Sequence, residues 1–366
     1  MSCRIGDFGR LEERIMKPFG LCDRKLKSVF QDGCGDYYES TAFGKWSNFN
    51  GALIDTTGTN SRTGIAAIEC TSRTGPQVSI PAGQNYFAGV ALKIQGFPGG
   101  NSGFQVGFTY NNTIDNLLVY VQGNGAQGVD LVGDAGIYAS SLPGLLTANT
   151  YAYIELSVLG LTSLGAMCSV RVNGQQVIPP TSVVLSGSPT AINVFGCLAP
   201  SGYTMWMDDV YINDNTTVAA TNPNNTFAGP VRIAYGVPIS DSSPLDFSTS
   251  SGSAHWSLVN AVPPNGGTNY VFDNSPGDID QYIFGSPGGV TPPYAIKAFC
   301  VALLAEIDTA GARTIAAQIG ATQGAAQALT TSYLIYSTQF DVNPITGNAL
   351  LLTDLPSLPC GPAVVS

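Results

Sequence analysis

The chain has 366 residues, 43 of them glycine and 23 proline, and only 11% of it is charged. That composition excludes a helical bundle solvated by Lys and Glu, and describes short strands joined by punctuated turns. The net charge is −10, with 8 basic against 18 acidic residues after position 39; so acidic a body lacks the Lys/Arg surface that neutralises phosphates, which excludes nucleic acid as a partner.

Residues 1–40 differ from the rest in charge density, and Phe8, Leu11 and Ile15 recur at i, i+3 and i+7. This spacing predicts a short helical face, which Pro18 limits and Phe19 follows. A segment this small cannot bury its own apolar face, so it either packs on the body or docks onto another protein. Phe8, Leu11, Ile15 and Phe19 are the docking candidates. The opening MSCRIGDFGRLEERIMKPFG has no apolar core of signal-peptide length, and the most apolar stretch, residues 298–307, is too short to span a bilayer and contains Glu306. The expectation is a soluble protein made in a cytoplasm, without membrane insertion. Its eight cysteines form no C-x-x-C pair, which favours free buried thiols; Cys3, Cys22 and Cys34 crowd the N-terminal segment and leave cross-linking open there.

From about residue 41 the texture changes to period-two runs: NYFAGVALKIQG, GFQVGFTY, NLLVYVQG, YAYIELSVLG and MCSVRVNGQQVI. Asn173-Gly174 between SVRV and QQVI predicts a two-residue type I′ hairpin, because both central positions of that turn need positive φ. The runs AINVFG and WMDDVYIND close a first β-sandwich over residues 41–216. In the latter, alternation places Trp206, Asp208, Val210 and Ile212 on one face and Met207, Asp209 and Tyr211 on the other. Two neighbouring aspartates of a strand thus diverge and make no shared-proton dyad. Asp208 is expected as a structural carboxylate that accepts backbone N–H bonds from a neighbouring loop.

A polar linker, residues 217–227, leads to a C-terminal β-domain over residues 228–366. There YAIKAFCVALLAEI and RTIAAQIGA flank the turn DTAGA and read as a strand pair, although the Ala and Leu content of the first also suits a buried helix. SYLIYSTQFDVNP is a further strand. The fold class is therefore all-β, two β-sandwich domains behind a short N-terminal helical or extended segment.

Chemistry-bearing residues are sparse. His255 is the sole histidine, reads as lying beside Trp256 on a strand, and has no G-x-S-x-G elbow to serve, so it reads as packing or surface. After residue 40 the glutamates are Glu69, Glu155 and Glu306, each isolated, which disfavours a carboxylate pair for glycoside hydrolysis. Asp130 and Asp134, with Asp208 or Asp209, are the weak calcium candidates, against the commoner reading of Asp in Gly-rich loops as turn chemistry. Trp46, Tyr86, Tyr110 and Tyr120 could stack on sugar rings if they lie on the rim; most aromatics must be core.

The order YAYIELSVLG, VRVNGQQVI, INVFG, MWMDDVYIND and FAGPVRIAYGVP resembles a family of tailed-bacteriophage virion proteins, in which a concanavalin A-like (laminin-G type) jelly roll precedes a second β-domain. YAIKAFCVALLAEIDTAGARTI and FDVNPITG fit that family's second half, whereas the closing NALLLTDLPSLPCG departs from it. The resemblance implies a structural protein of a virion, such as a tail fibre or a decoration protein. It would be without catalysis or cofactor, a homo-oligomer with a trimer favoured, bound to other virion proteins and with a host-surface glycan as a further partner. The competing expectation is a lectin-like or glycan-active protein of cellular origin.

Overall fold

The computed structural model describes residues 46–62, 66–97, 103–110, 117–185, 189–214, 227–261, 269–285, 287, 296, 299–307, 312–340, 342–348 and 350–366, together with the backbone of 2–3, 12–17 and 27–32. The fold is all-β. It divides into two units: residues 25–34 with 46–233, and residues 1–24 with 35–45 and 234–366.

The first unit is a two-sheet sandwich. One sheet has eight strands, ordered Gln175–Val183, Gly165–Val172, Tyr151–Thr162, Tyr86–Ile94, Thr204–Asp214, Ala67–Thr71 and Leu53–Asp55, with Lys27–Asp32 also paired to Thr204–Asp214. The other has six, ordered Gly136–Ser140, Val129–Gly133, Val119–Gly123, Gln105–Thr109, Ile192–Leu198 and Gln77–Gly83. Alternate residues of each strand point between the sheets, as a half-buried pleat requires. The Tyr86 ring meets Phe108 of the opposite sheet at 5.7 Å, and Phe108 meets Phe195 at 5.3 Å. Val90, Leu92, Ile154, Leu156 and Ile212 fill the same layer, all buried.

The Asn173-Gly174 hairpin forms as the sequence predicts. Val172 faces Gln175, and the two turn residues have φ of 51° and 78°. The Asn173 side chain adds a bond of its own, accepting the Tyr153 N–H at 2.8 Å.

Alternation fails in the strand that carries the two aspartates. Asp208 faces Ala91 and Tyr211 faces Gly89, so three residues of one strand span two of its neighbour. The extra residue is a β-bulge, and Asp209 within it has φ +49°. Met207 and Ile212 therefore point into the core, opposite Leu92 and Ala88, while Trp206, Asp208, Tyr211 and Asn213 share the outer face. The expected grouping of Asp208 with Val210 and Ile212 is corrected accordingly.

In the second unit, Phe299–Ile307 is a strand, as is Thr314–Ile319, but they do not pair. Phe299–Ile307 is held on one edge by Leu334–Phe340 and on the other by Glu12–Lys17 and Ser2–Cys3. Both edges are taken, so Thr314–Ile319 joins the other sheet beside Cys360–Val364. Phe284, Phe299, Val301, Leu303, Ile315 and Leu355 lie in the core between them.

The N-terminal expectation also changes. Ile15 lies in the strand Glu12–Lys17, not in a helix. An isolated helix of this length is marginal, whereas a strand satisfies its backbone groups on an available sheet edge. Phe8, Leu11 and Phe19 lie outside the described residues. The unit boundary falls after Ile233 rather than after residue 227, because residues 228–233 bond to the first sandwich as detailed below. No helix among the described residues is long and apolar enough to cross a membrane.

Gly174 gives a direct check of the turn. Replacing it with Ala puts a side chain at φ +78°, with Cβ 3.2 Å from Pro230 Cδ, and is expected to lower stability by about 1 kcal/mol in urea unfolding, with an unchanged m-value.

Candidate functional site

The outer face of the eight-stranded sheet carries the densest polar arrangement of the first unit. Cross-strand register sets it out in rows. Asn213, Phe87, Ser157 and Ser169 form one row, and Tyr211, Gly89, Glu155 and Arg171 the next. Gly89 is required there: a Cβ would meet Tyr211 Cε1 at 2.3 Å and Tyr153 Cε1 at 2.7 Å. Without it, the two tyrosine rings, stacked at 6.4 Å and 12°, could not lie down on the sheet.

Residues 227–233 run over these rows as a strap. The Phe227 ring packs edge-on against Phe87 at 5.3 Å, and the Arg171 guanidinium sits 4.6 Å over it. Ala228 N–H donates to the Tyr211 hydroxyl at 3.1 Å and Gly229 N–H to Glu155 Oε1 at 2.8 Å. The Tyr211 hydroxyl donates to the same Oε1 at 2.6 Å. Burial, and then the neighbouring Glu155 carboxylate, push the Tyr211 hydroxyl well above its ordinary pKa, so it remains a donor.

The strap ends at the aspartates. Asp209 Oδ2 is paired with Arg62 Nη1 at 2.5 Å, and its Oδ1 accepts Ile233 N–H at 2.8 Å. Arg62 also donates to the Val231 carbonyl at 2.6 Å, and its guanidinium lies 5.2 Å over the Tyr153 ring. The Tyr153 hydroxyl donates to the backbone carbonyl of Asp209 at 2.8 Å. Asp208 Oδ2 accepts Arg62 N–H and its Oδ1 accepts Asp209 N–H, both at 2.8 Å. Asp208 thus accepts two backbone N–H groups, one of them from the Arg62 loop, and faces outward from the core. The two carboxylates have separate donors and separate tasks.

Asp130 and Asp134 stand elsewhere. Asp130 is buried in the six-stranded sheet and accepts a bond from Asn124 at 2.9 Å, while Asp134 is exposed in the turn that follows Val129–Gly133. The structure does not bring them to Asp208, and among the described residues no group of three His, Cys, Asp or Glu gathers as a metal site. Of the aromatic candidates, Trp46 and Tyr86 are core; Tyr110 and Tyr120 are half-buried. Burial pushes the Tyr86 hydroxyl up to about 12. Cys70, Cys168, Cys197 and Cys360 are free and buried, and Cys300 is partly buried. Burial raises the first four, Cys168 to about 12, which leaves them protonated and unreactive. Nothing is described of the side chains of Cys3, Cys22 and Cys34.

The second unit has one comparable station. His255 opens a short helix, His255–Leu258, instead of lying on a strand. Its Nδ1 is 2.7 Å from Asp280 Oδ2, which also accepts the Tyr282 hydroxyl at 2.8 Å; Asp280 Oδ1 accepts Phe247 N–H at 2.9 Å. The hydrogen bond to Asp280 raises the His255 pKa, burial opposes it, and the charges of Asp280 and Asp241 add to the rise. Among the described residues no serine or cysteine is hydrogen-bonded to His255, so the pair is a tie between loop and strand.

Neither Arg62, Tyr153, Glu155 and Tyr211 nor the strap is singled out by motif. The available signal is YAYIELS itself, where Tyr151, Tyr153, Glu155 and Ser157 alternate with apolar residues and mark a polar face on a buried strand.

No family model matches the sequence, and no curated protein does. Solved structures resemble about half of the chain at low identity. Domain 4 of AbnA, a GH43 extracellular arabinanase from Geobacillus stearothermophilus, in complex with arabinotriose, is 12% identical, over 52% of this chain and 93% of that one, with a TM-score of 0.36. The endo-beta-1,4-glucuronan lyase from the fungus Trichoderma reesei is 13% identical, over 55% and 100%, with a TM-score of 0.35. The carbohydrate recognition domain of Emp47p is 12% identical, over 52% and 97%, with a TM-score of 0.37.

Two outcomes check these ties. Asp209→Ala strands Arg62 and the Ile233 N–H, and is expected to destabilise the protein by about 3–5 kcal/mol in denaturant titrations. The raised His255 pKa stabilises the fold fully below pH ~6.5, the unfolded value, and that contribution is lost as pH rises through the folded pKa. A series of melting temperatures from pH 5 to 9 should therefore fall in wild type, and fall less in His255→Gln.

Proposed function

We propose that the protein is a non-catalytic structural component of a tailed-phage virion, working through rigid shape and assembly, with recognition of a cell-surface saccharide as a second duty. One observation carries the non-catalytic part. Four of the buried carboxylates, Asp208, Asp209, Glu155 and Asp280, are bonded to N–H or O–H groups of the chain itself, Glu155 through Oε1. Groups so engaged cross-tie loops to sheets and hold them in one geometry; a general acid or base must instead reach a substrate proton. Such ties suit a scaffold whose rim loops vary while its layers do not.

The virion assignment is supported by the ordered succession from YAYIELSVLG to FAGPVRIAYGVP. In this reading the protein is a trimer, made in the host cytoplasm and carried on the particle, and Phe8, Leu11 and Phe19 contact a neighbouring virion protein. The polar outer face of the eight-stranded sheet favours the saccharide duty, and equally a lectin-like protein outside any particle.

Mass spectrometry and cryo-EM of purified particles decide between these. The expected result is a stoichiometric band of this chain, lost from particles of a Phe8→Ser/Leu11→Ser/Phe19→Ser variant that still folds. Absence from wild-type particles would remove the virion reading. Incubation with polysaccharides is expected to release neither reducing ends nor unsaturated sugars.

A further inference from the structure

We propose that residues 227–233 act as a built-in plug over a binding face for a neutral saccharide, and that the face takes its ligand when the strap lifts. The proposal rests on the saccharide-binding reading above and names where that binding occurs.

The strap does not satisfy what it covers. Asn213 is fully buried, yet among the described residues neither its Oδ1 nor its Nδ2 has a hydrogen-bond partner. By register it lies on the outer face beside Phe87, the residue on which the Phe227 ring rests. Arg171, whose guanidinium lies 4.6 Å over that ring, has a buried Nε that is likewise unpartnered among the described residues. An apolar ring is thus set among a carboxamide and a guanidinium that want polar partners, and a buried polar group left without one destabilises the fold. In an ordinary core these positions would be apolar, or bonded to one another.

A polyhydroxylated ligand would supply what the ring withholds. The covered rows offer a carboxamide, the bonded hydroxyls of Ser157 and Ser169 at 2.7 Å, a carboxylate, a guanidinium and the Tyr211 ring lying flat on the sheet. Carboxamide, hydroxyl and paired charges present donors and acceptors together, which matches vicinal sugar hydroxyls; flat rings match the apolar face of a pyranose. The face sets Arg171 in cross-strand register with Glu155, and pairs Arg62 with Asp209, so its opposed charges select a neutral sugar over a polyanion.

The strap is also held in a way that permits release. Its main-chain bonds run to side chains of the sheet and of the Arg62 loop: Tyr211, Glu155, Arg62 and Asp209. Phe227 is its one aromatic anchor, and it remains partly exposed. Lifting it exchanges side-chain bonds for water or ligand without opening the sandwich core.

The test uses the full chain on an array of neutral and acidic glycans, comparing wild type, Phe227→Ala and Phe227→Ala/Asn213→Leu. Phe227→Ala is expected to bind neutral glycans at least tenfold more tightly than wild type, and the added Asn213→Leu to abolish the gain. Hydrogen exchange should show the bound glycan protecting strands Tyr86–Ile94 and Tyr151–Thr162. If Phe227→Ala fails to fold, Phe227→Leu with a smaller gain serves in its place. Wild-type glycan binding that neither substitution alters would overturn the plug while leaving the saccharide duty intact; a gain confined to acidic glycans, or no binding by any variant, would overturn the proposal.

Discussion

The first unit depends on one partly buried ion pair at one irregular backbone position. Asp209 sits in left-handed φ inside a sheet strand, where a non-glycine residue is uncommon and persists only if its surroundings over-determine it. The surroundings do so. Its carboxylate is held by Arg62 and by the Ile233 N–H, and its carbonyl by the Tyr153 hydroxyl. A buried charge left alone would cost several kcal/mol, so the loop bearing Arg62 and the bulge stand or fall together. The bulge in turn moves Tyr211 and Asn213 to the outer face, and the polar rows exist because of that shift.

This chain of dependence explains what was legible in the sequence. Strands with both period-two alternation and turn residues at their ends, such as Tyr86–Ile94, Tyr151–Thr162 and the Asn173-Gly174 hairpin, could be read directly. Their signals are local. The bulge was not, because WMDDVYIND alternates plausibly without it and the residues that stabilise it lie 147 positions upstream and 24 downstream. The pairing of Phe299–Ile307 was missed for a related reason: its edges are filled by Leu334–Phe340 and by Glu12–Lys17, and no local pattern announces partners that far along the chain. Asp208 shows the intermediate case. Its role as a backbone-bonded carboxylate followed from the cost of burying a charge in any sandwich, whereas the face it points to did not.

The two units repeat one device with different chemistry. Asp209 and Asp280 each accept a loop N–H, each take a cation, and each have a tyrosine hydroxyl at hand: Ile233, Arg62 and Tyr153 for the first, Phe247, His255 and Tyr282 for the second. The hydroxyls serve differently, since Tyr153 reaches the Asp209 backbone and Tyr282 reaches the Asp280 carboxylate. The cations differ more. Arginine keeps its charge at any physiological pH, so the tie in the first unit is permanent, while histidine makes its counterpart in the second unit conditional on proton concentration.

Burial alone does not distinguish a core from a surface that has been covered, but bonding does. The layer between the two sheets of the first unit holds Val90, Leu92, Ile154, Leu156 and Ile212, which ask for no partner. The outer face is as well shielded at Glu155, Tyr211 and Asn213, yet its residues are polar: the strap's main chain bonds the Tyr211 hydroxyl and one oxygen of Glu155, while Asn213, in register with the Phe87 on which the Phe227 ring rests, is left with neither side-chain atom bonded among the described residues. Selection for stability alone removes such a mismatch readily, since one apolar substitution would do it. A face that keeps donors and acceptors under an apolar lid is organised for contact with something other than the lid.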